Sequence, residues 1–256
     1  MDLFDYMREN ALRQEAPLAV RMRPQSLEEI AGQAHILGKD KLLYRAVKAD
    51  AVGSMILYGP PGCGKTTIAE VISRETQSDF CRLNATTAGK KEMEEVIQRA
   101  KENFGRGRRT TLFVDEIHRF HKGQQDFLLP YVEDGTIALI GATTENPFFE
   151  VNAALLSRSR IFELKPLAAA DIAALLRRAM ADKERGDGNW SAELTEEACA
   201  FLADAAAGDA RTALNALELG MKTTAPESDG CISITLSVAE DCIQKRVIRY
   251  DKDGDN

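Results

Sequence analysis

Gly59-Pro60-Pro61-Gly62-Cys63-Gly64-Lys65-Thr66 decides the fold, because it meets the G-x-x-x-x-G-K-[ST] phosphate-loop pattern at every fixed position. The apolar run Met55-Ile56-Leu57-Tyr58 leads in as a buried strand, and Thr66 to Ile72 leads out with Ile68, Val71 and Ile72 at helical spacing. Glycines let successive N–H groups turn inward toward an anion, and the helix start behind them adds partial positive charge. Lys65 then brings a point charge to the β- and γ-phosphates of a nucleoside triphosphate. The Thr66 hydroxyl can enter the coordination shell of Mg²⁺. Cys63 stands where only the backbone is used, so its thiol reads as a small filler without a redox role.

Outward from the loop, the chain has the make-up of a soluble globular protein. It has 256 residues, 44% hydrophobic and 29% charged, enough for one large domain or two small ones. The formal net charge of −7 argues against wholesale electrostatic binding to nucleic acid or an anionic membrane. DNA contact has to come from local basic patches. The five cysteines, at 63, 81, 199, 231 and 242, include no C-x-x-C pair, which points to a reducing compartment without disulfides or structural zinc. The acidic start Met1-Asp2-Leu3-Phe4-Asp5 is unlike a secretory leader, and no run approaches the roughly 18 apolar residues of a membrane span. The expectation is a cytoplasmic protein with no membrane partner.

Further strands are expected at Phe80–Leu83, Thr110–Val114, Ile137–Ala142 and Arg160–Leu164, separated by helices at residues 89–104 and 121–134, with a short helix at 41–50 before the first strand. Pro130 is expected to kink the 121–134 helix. Apolar strands without alternation, spaced by helices, predict a five-stranded parallel sheet covered on both faces. Beyond Lys165 the pattern becomes purely helical, with Ile172, Leu175, Leu176 and Ala179, then Ala198, Phe201, Leu202 and Ala205, then Ala210, Ala213, Leu214 and Leu217 at i, i+3, i+4, i+7. The domains expected are an α/β base over residues 1–166 and a small all-α lid over 167–250. Residues 1 to about 16 read as a loose arm and 251–256 as a solvated tail.

Asp115-Glu116 closes the third strand, and in a parallel sheet that strand can end beside the phosphate loop. Asp115 can then help hold Mg²⁺, and Glu116 can act as general base on the attacking water.

The loop, the strand-end Asp-Glu, Ala142-Thr143-Thr144, Leu155-Leu156-Ser157-Arg158 and Gly208-Asp209-Ala210-Arg211 together resemble the AAA+ ATPases of the clamp-loader group. Arg21-Met22-Arg23-Pro24, Ile30-Ala31-Gly32-Gln33, Asp115 to Phe120, Ile140 to Pro147 and Ala154 to Arg158 are similar to the replication-associated recombination protein A family, bacterial relatives of the Werner helicase-interacting protein. The resemblance runs from residue 17 to about 250. It implies a P-loop ATPase with a lid, binding ATP and Mg²⁺ through Gly59 to Thr66 and Thr67, with Ile30 and Ala31 against the adenine. It implies that Thr144 is the sensor 1 hydroxyl, with Thr143 the alternative. Arg158 is implied as a finger acting on a neighbouring subunit, with Arg160 competing for that role, and Arg211 as sensor 2 in the lid. His118 and Arg119 receive no role.

The task implied is ATP-driven remodelling of DNA at stalled forks or gaps, in a nucleoid-associated homo-oligomer, a tetramer in full-length members, with a single-stranded DNA-binding protein as a possible partner. The family carries a further helical region that assembles tetramers, which the sequence reaching Asn256 does not include. If the chain is a piece of a longer protein, weak self-association and low ATPase activity are expected, because the finger then has no neighbour. Alternatives are a clamp-loader subunit, a Holliday-junction branch-migration motor, or a nucleotide-gated adaptor without turnover. Lys90-Lys91 and the turn Gly105-Arg106-Gly107-Arg108-Arg109 are the candidate DNA-contacting patches, neither interleaved with aromatics.

Overall fold

Strands apolar on both faces need helices above and below, and the computed structural model, which describes residues 16–243, has that arrangement. β1 (Met55–Tyr58), β2 (Asp79–Asn84), β3 (Thr110–Asp115), β4 (Ala138–Thr143) and β5 (Arg160–Glu163) form one sheet in the order β2-β3-β4-β1-β5. Every pair is parallel. The five expected strands are present, with small differences at their ends.

Neighbouring residues in each strand feed opposite cores. Ile56, Leu112, Val114 and Leu139 pack with Met93 and Ile97 of the helix Lys90–Gly105, while Met55, Leu57, Phe113 and Ile140 pack with Ile68, Val71 and Ile72 of the helix Lys65–Glu75. Tyr58 lies opposite Thr143, and Val114 opposite Gly141, so the C-terminal ends of β1, β4 and β3 line one edge. The direction of strand addition reverses at β1, the place where open α/β sheets bind ligands. Gly141 keeps that edge compact: a Cβ there would fall 2.7 Å from Ile56 Cδ1 and 2.9 Å from Ile117 Cδ1. Pro130 lies inside the helix Lys122–Glu133, which continues past it.

Contacts divide the chain into Arg23–Ala168 and a helical unit that joins the described residues 16–22 to 169–243. In the helical unit Ile172, Leu176, Ala198, Leu202, Ala213 and Leu217 are buried, on the helices Ala169–Ala181, Glu196–Ala205 and Ala210–Thr223. Two features of this unit differ from the sequence reading. A parallel pair, β6 (Ala192–Leu194) and β7 (Ile232–Ile234), joins the helices, and three-residue strands are too short for a period to reveal. The segment Leu18–Arg21, numbered with the sheet in the sequence reading, packs with the helices instead. Its buried Leu18 donates its N–H to Glu218 Oε2 at 3.0 Å, and Arg21 Nη2 meets Asp187 Oδ1 at 2.8 Å with both side chains nearly covered. The expected arm, apart from Ala16, and the expected tail lie outside the described residues.

Glu218 makes this anchoring pH-dependent. Burial pushes its carboxyl up, but the Lys222 ammonium at 2.7 Å and the Leu18 N–H together outweigh that and hold it below the ordinary value of 4.5. A depressed carboxylate stabilises the fold above its unfolded pKa and loses that contribution as pH falls through the folded one. The helical unit should therefore weaken on acidification below about pH 4.5, and Glu218→Gln should flatten that loss. Hydrogen exchange at the Leu18 amide across this range measures it; protection independent of pH would contradict the linkage.

Candidate nucleotide site

β1 ends at Tyr58, and Gly59 donates its N–H to the Thr143 carbonyl at 3.1 Å, extending the β1–β4 pairing by one bond before the chain turns. Gly59 has φ 157°, and a Cβ there would sit 2.5 Å from the Leu164 carbonyl oxygen, so no other residue fits. Gly62 and Gly64 have φ of 72° and 102°. The helix Lys65–Glu75 starts from Gly64 with no side-chain cap. The backbone N–H groups of Gly62, Gly64, Lys65 and Thr66 have no acceptor among the described residues. A ring of unused donors around glycines, at a helix start, fits an anion with several oxygens.

Lys65 is buried, with Nζ donating to the carbonyls of Gly59 at 2.6 Å and Pro60 at 2.7 Å. An ammonium has three donors, so one remains for a ligand. Thr66 and Thr67 follow on the first turn, both half-buried. Pro60 and Pro61 stiffen the entry to the loop. Cys63 is buried and its thiol donates to the Pro60 carbonyl at 2.9 Å, within the loop itself.

Gln33, which the sequence reading used only as a family marker, ties the loop down. It is 1% exposed; its amide donates to the carbonyls of Lys165 at 2.8 Å and Cys63 at 3.4 Å and accepts from the Lys165 N–H at 3.1 Å. Gln33 also lines a cavity of about 420 Å³ with Leu27, Ile30, Gly32 and Tyr44. Ile30 packs against the core below, and Ala31 is half-buried beside it. At the cavity rim, Glu28 accepts from the Tyr44 hydroxyl at 3.0 Å; its own backbone N–H, then Tyr44 and Lys48, pull its carboxyl down to about 2.

The acidic pair stands two strands from the loop. Asp115 ends β3 and pairs through Oδ2 with Arg82 Nη2 at 2.9 Å, so a metal bound there would share Asp115 with a guanidinium. Glu116 opens the short 3-10 turn Ile117–Arg119 in the left-handed region, φ 52° and ψ 47°. That turn lifts its carboxylate toward the end of β4. Thr144 Oγ1 donates to Glu116 Oε2 at 3.5 Å, and His118 Nδ1 is 3.3 Å from the same oxygen and 2.9 Å from Thr143 Oγ1. Thr143 is fully buried, and its hydroxyl is engaged by Glu145 as well; Thr144 is half-exposed. Glu116, Thr143 and Thr144 are therefore brought together, and His118 joins them. Arg119 is exposed.

Arg158 caps the helix Ala153–Ser157 and pairs with Glu133 Oε1 at 2.5 Å, while its Nη1 donates to the Ala154 carbonyl and to Ser157 Oγ, each at 3.0 Å. Arg160, two residues on, is exposed with no acidic partner among the described residues. Gln125 fixes the chain between Thr144 and Arg158: its buried amide donates to the carbonyls of Phe120 and Glu150 and accepts from the Asn152 N–H. Arg211 belongs to the helical unit, exposed on the first turn of the helix Ala210–Thr223, whose cap Asp209 accepts its N–H at 2.9 Å.

The two basic patches differ in how free they are. Lys90 and Lys91 are exposed, each with a glutamate at i+4, Glu94 at 3.5 Å and Glu95 at 3.9 Å. In the second patch Arg109 is claimed by Asp50, whereas Arg106 and Arg108 are exposed without an acidic partner among the described residues. Phe104 beside them is 56% exposed, an aromatic the sequence reading assigned to a helix end.

Residues 55–167 match the family model of the ATPase family associated with various cellular activities (AAA), and 188–256 match the AAA C-terminal domain. The chain is 49% identical over 239 residues to replication-associated recombination protein A of Bacillus subtilis strain 168 and to that of Escherichia coli strain K12, covering 93% of this chain and 56% and 54% of theirs. It spans about half the length of the curated relatives it matches. Among solved structures, the Thermotoga maritima RuvB Holliday junction branch migration motor superposes with a TM-score of 0.67 at 25% identity, over 87% of this chain and 72% of that one.

Gln33→Leu should remove the partner of both the Lys165 N–H and the Lys165 carbonyl at a partly buried position. The expected loss is about 1–3 kcal/mol, together with weaker nucleotide binding. Thermal melting and titration with a fluorescent ATP analogue test this, and unchanged affinity would separate Gln33 from the loop's function.

Proposed function

The chain belongs to the AAA+ ATPases of the replication-associated recombination protein A type, and we propose that it hydrolyses ATP at the Gly59–Thr66 loop and couples hydrolysis to remodelling DNA at stalled forks or gaps. The observation that carries hydrolysis, as opposed to binding alone, is the Glu116 carboxylate held among hydroxyl and imidazole partners on the edge shared with the loop.

In this reading the free N–H groups of Gly62, Gly64, Lys65 and Thr66 hold the phosphate oxygens, and the remaining Lys65 donor reaches the β- and γ-phosphates. The cavity at Ile30 and Gln33 takes the adenine. Thr66 and Asp115 would hold Mg²⁺, which when bound offsets the charge of the phosphates; two protein oxygens suit an ion that keeps most of its waters. Glu116 takes the proton of the attacking water, and Thr144 orients that water or the γ-phosphate. Arg158 acts on the nucleotide of a neighbouring subunit in a homo-oligomer, and Arg211 reads the nucleotide from the lid. Substitution of Glu116 by Gln should lower single-turnover hydrolysis by about 100-fold or more while leaving nucleotide binding within a few-fold. Hydrolysis at the parent rate would take the base role from Glu116, and no measurable hydrolysis in the parent itself would favour the nucleotide-gated adaptor.

DNA recognition rests on the identity to the recombination proteins and on the unpaired arginines. The RuvB motor shares the fold at about half that identity, which makes a branch-migration role the weaker reading. Arg106 and Arg108 are free to meet phosphates, with Phe104 alongside for a base. Joint replacement of Arg106 and Arg108 by Glu should weaken single-strand binding and reduce the slope of log K against log salt by about 0.7 for each phosphate that is no longer neutralised. A binding titration at four salt concentrations reads this; an unchanged slope would exclude the patch and leave Lys90 and Lys91 as the candidate.

A further inference from the structure

His118 is a nearly buried polar side chain at the site to which the proposed mechanism gives no task. Its side chain is 7% exposed, and its Nδ1 lies between two oxygens, Thr143 Oγ1 at 2.9 Å and Glu116 Oε2 at 3.3 Å. The surroundings decide where its proton is. Thr143 Oγ1 already accepts the Glu145 N–H at 3.0 Å and has the Glu145 carbonyl at 3.2 Å to receive its own hydrogen. With its hydrogen placed there, it can only accept from the imidazole. The Glu116 carboxylate is acceptor-only when ionised. Both neighbours therefore call for a hydrogen on Nδ1, and the tautomer follows from that pairing.

We infer that His118 is a positioning residue for Glu116: its Nδ1–H, hydrogen-bonded to Thr143 Oγ1, stands 3.3 Å from Glu116 Oε2 and draws the carboxylate toward the end of β4. The inference rests on Glu116 being the base. Thr144 and His118 both approach Oε2, and Oε1 has no partner among the described residues. The carboxylate is thus held by one oxygen and offers the other to a proton. Glu116 needs such a hold because its side chain is about one-third exposed and it springs from a left-handed turn with no strand neighbour to restrict it. Without the imidazole, the remaining 3.5 Å contact from Thr144 is too long to select one rotamer. The same strand end accepts the Gly59 N–H, so His118 references the base to β4, the strand whose end is bonded to the first residue of the loop.

The test compares three substitutions. In His118→Asn the amide N–H lies near the Nδ1 position; in His118→Gln the donor is displaced by a carbon; in His118→Phe bulk is kept and the donor removed. Single-turnover ATP hydrolysis and fluorescent-nucleotide titration are measured for each, beside Glu116→Gln. The Phe variant should hydrolyse about 10- to 100-fold more slowly with nucleotide Kd within about twofold, and Asn should recover most of the rate where Gln does not. A role in packing alone predicts that Phe is tolerated, or that Asn and Gln are equally impaired; either result overturns the inference. If Phe fails to fold, the Asn and Gln pair still decides. Slow hydrolysis in Glu116→Gln with a normal rate in His118→Phe removes the positioning role and keeps the base, whereas a normal rate in Glu116→Gln removes the base itself.

Discussion

The 3.1 Å hydrogen bond from the Gly59 N–H to the Thr143 carbonyl is the join on which the rest of the site depends. It is the last bond of the β1–β4 ladder, and residues proposed to act on the nucleotide follow it on both strands. On one side the chain becomes the loop of left-handed glycines; on the other it becomes Thr144 and the turn toward Arg158. Because β3 pairs with β4 in fixed register, Val114 against Gly141, the Asp115-Glu116 step is placed by the same ladder. Parallel pairing cannot slip by one residue without turning Ile140 and Leu139 to the wrong cores, so hydrophobic burial in the sheet fixes polar geometry at its edge.

The electrostatics of that edge are divided along it. At the loop, a buried ammonium is compensated by two carbonyl dipoles and, among the described residues, by no carboxylate. At β3, Asp115 is offset by Arg82, a partner on the neighbouring strand β2. Glu116, one residue on, faces an imidazole and a hydroxyl instead of a cation. The arrangement separates an anion-attracting end from a proton-accepting end, which are the two properties that binding and hydrolysis of a triphosphate need together. Desolvation of Lys65 strengthens its field on any phosphate that arrives, since burial lowers the local dielectric.

Much of this was legible in the sequence, for a physical reason. The phosphate loop is read from residue types that backbone geometry demands, and Gly59, Gly62 and Gly64 do adopt the conformations that glycine permits. The strands were legible because two-sided burial leaves runs such as Thr111-Leu112-Phe113-Val114 with no polar interruption. What was hidden is carried by polar side chains that bond across the fold. Gln33 and Lys165 are far apart in sequence, and no periodicity links them. His118 sits in a stretch whose neighbours Ile117 and Phe120 are core, so its contact with Thr143 depends on the width of the sheet and not on local pattern. β6 and β7 were invisible because three residues carry no period. Leu18–Arg21 was misassigned because its attachment, the Leu18 N–H on Glu218, crosses nearly the whole described chain.

Arg158 illustrates how differently two cations of one site can be held. Lys65 is buried and bonded within its own loop, so its position is part of the fold. Arg158 is paired with Glu133 while both side chains are about 40% exposed. A pair so exposed contributes on the order of 0–1 kcal/mol, less in physiological salt. Glu133 therefore orients the guanidinium without committing it, and the Ala154 carbonyl and Ser157 hydroxyl hold it against the end of its own helix. In the proposed homo-oligomer, a polyphosphate on a neighbouring subunit, with its several negative charges, would outweigh one solvated carboxylate. The weakness of the Glu133 pair thus fits the role proposed for Arg158 on a second molecule, where a buried salt bridge would keep it for its own.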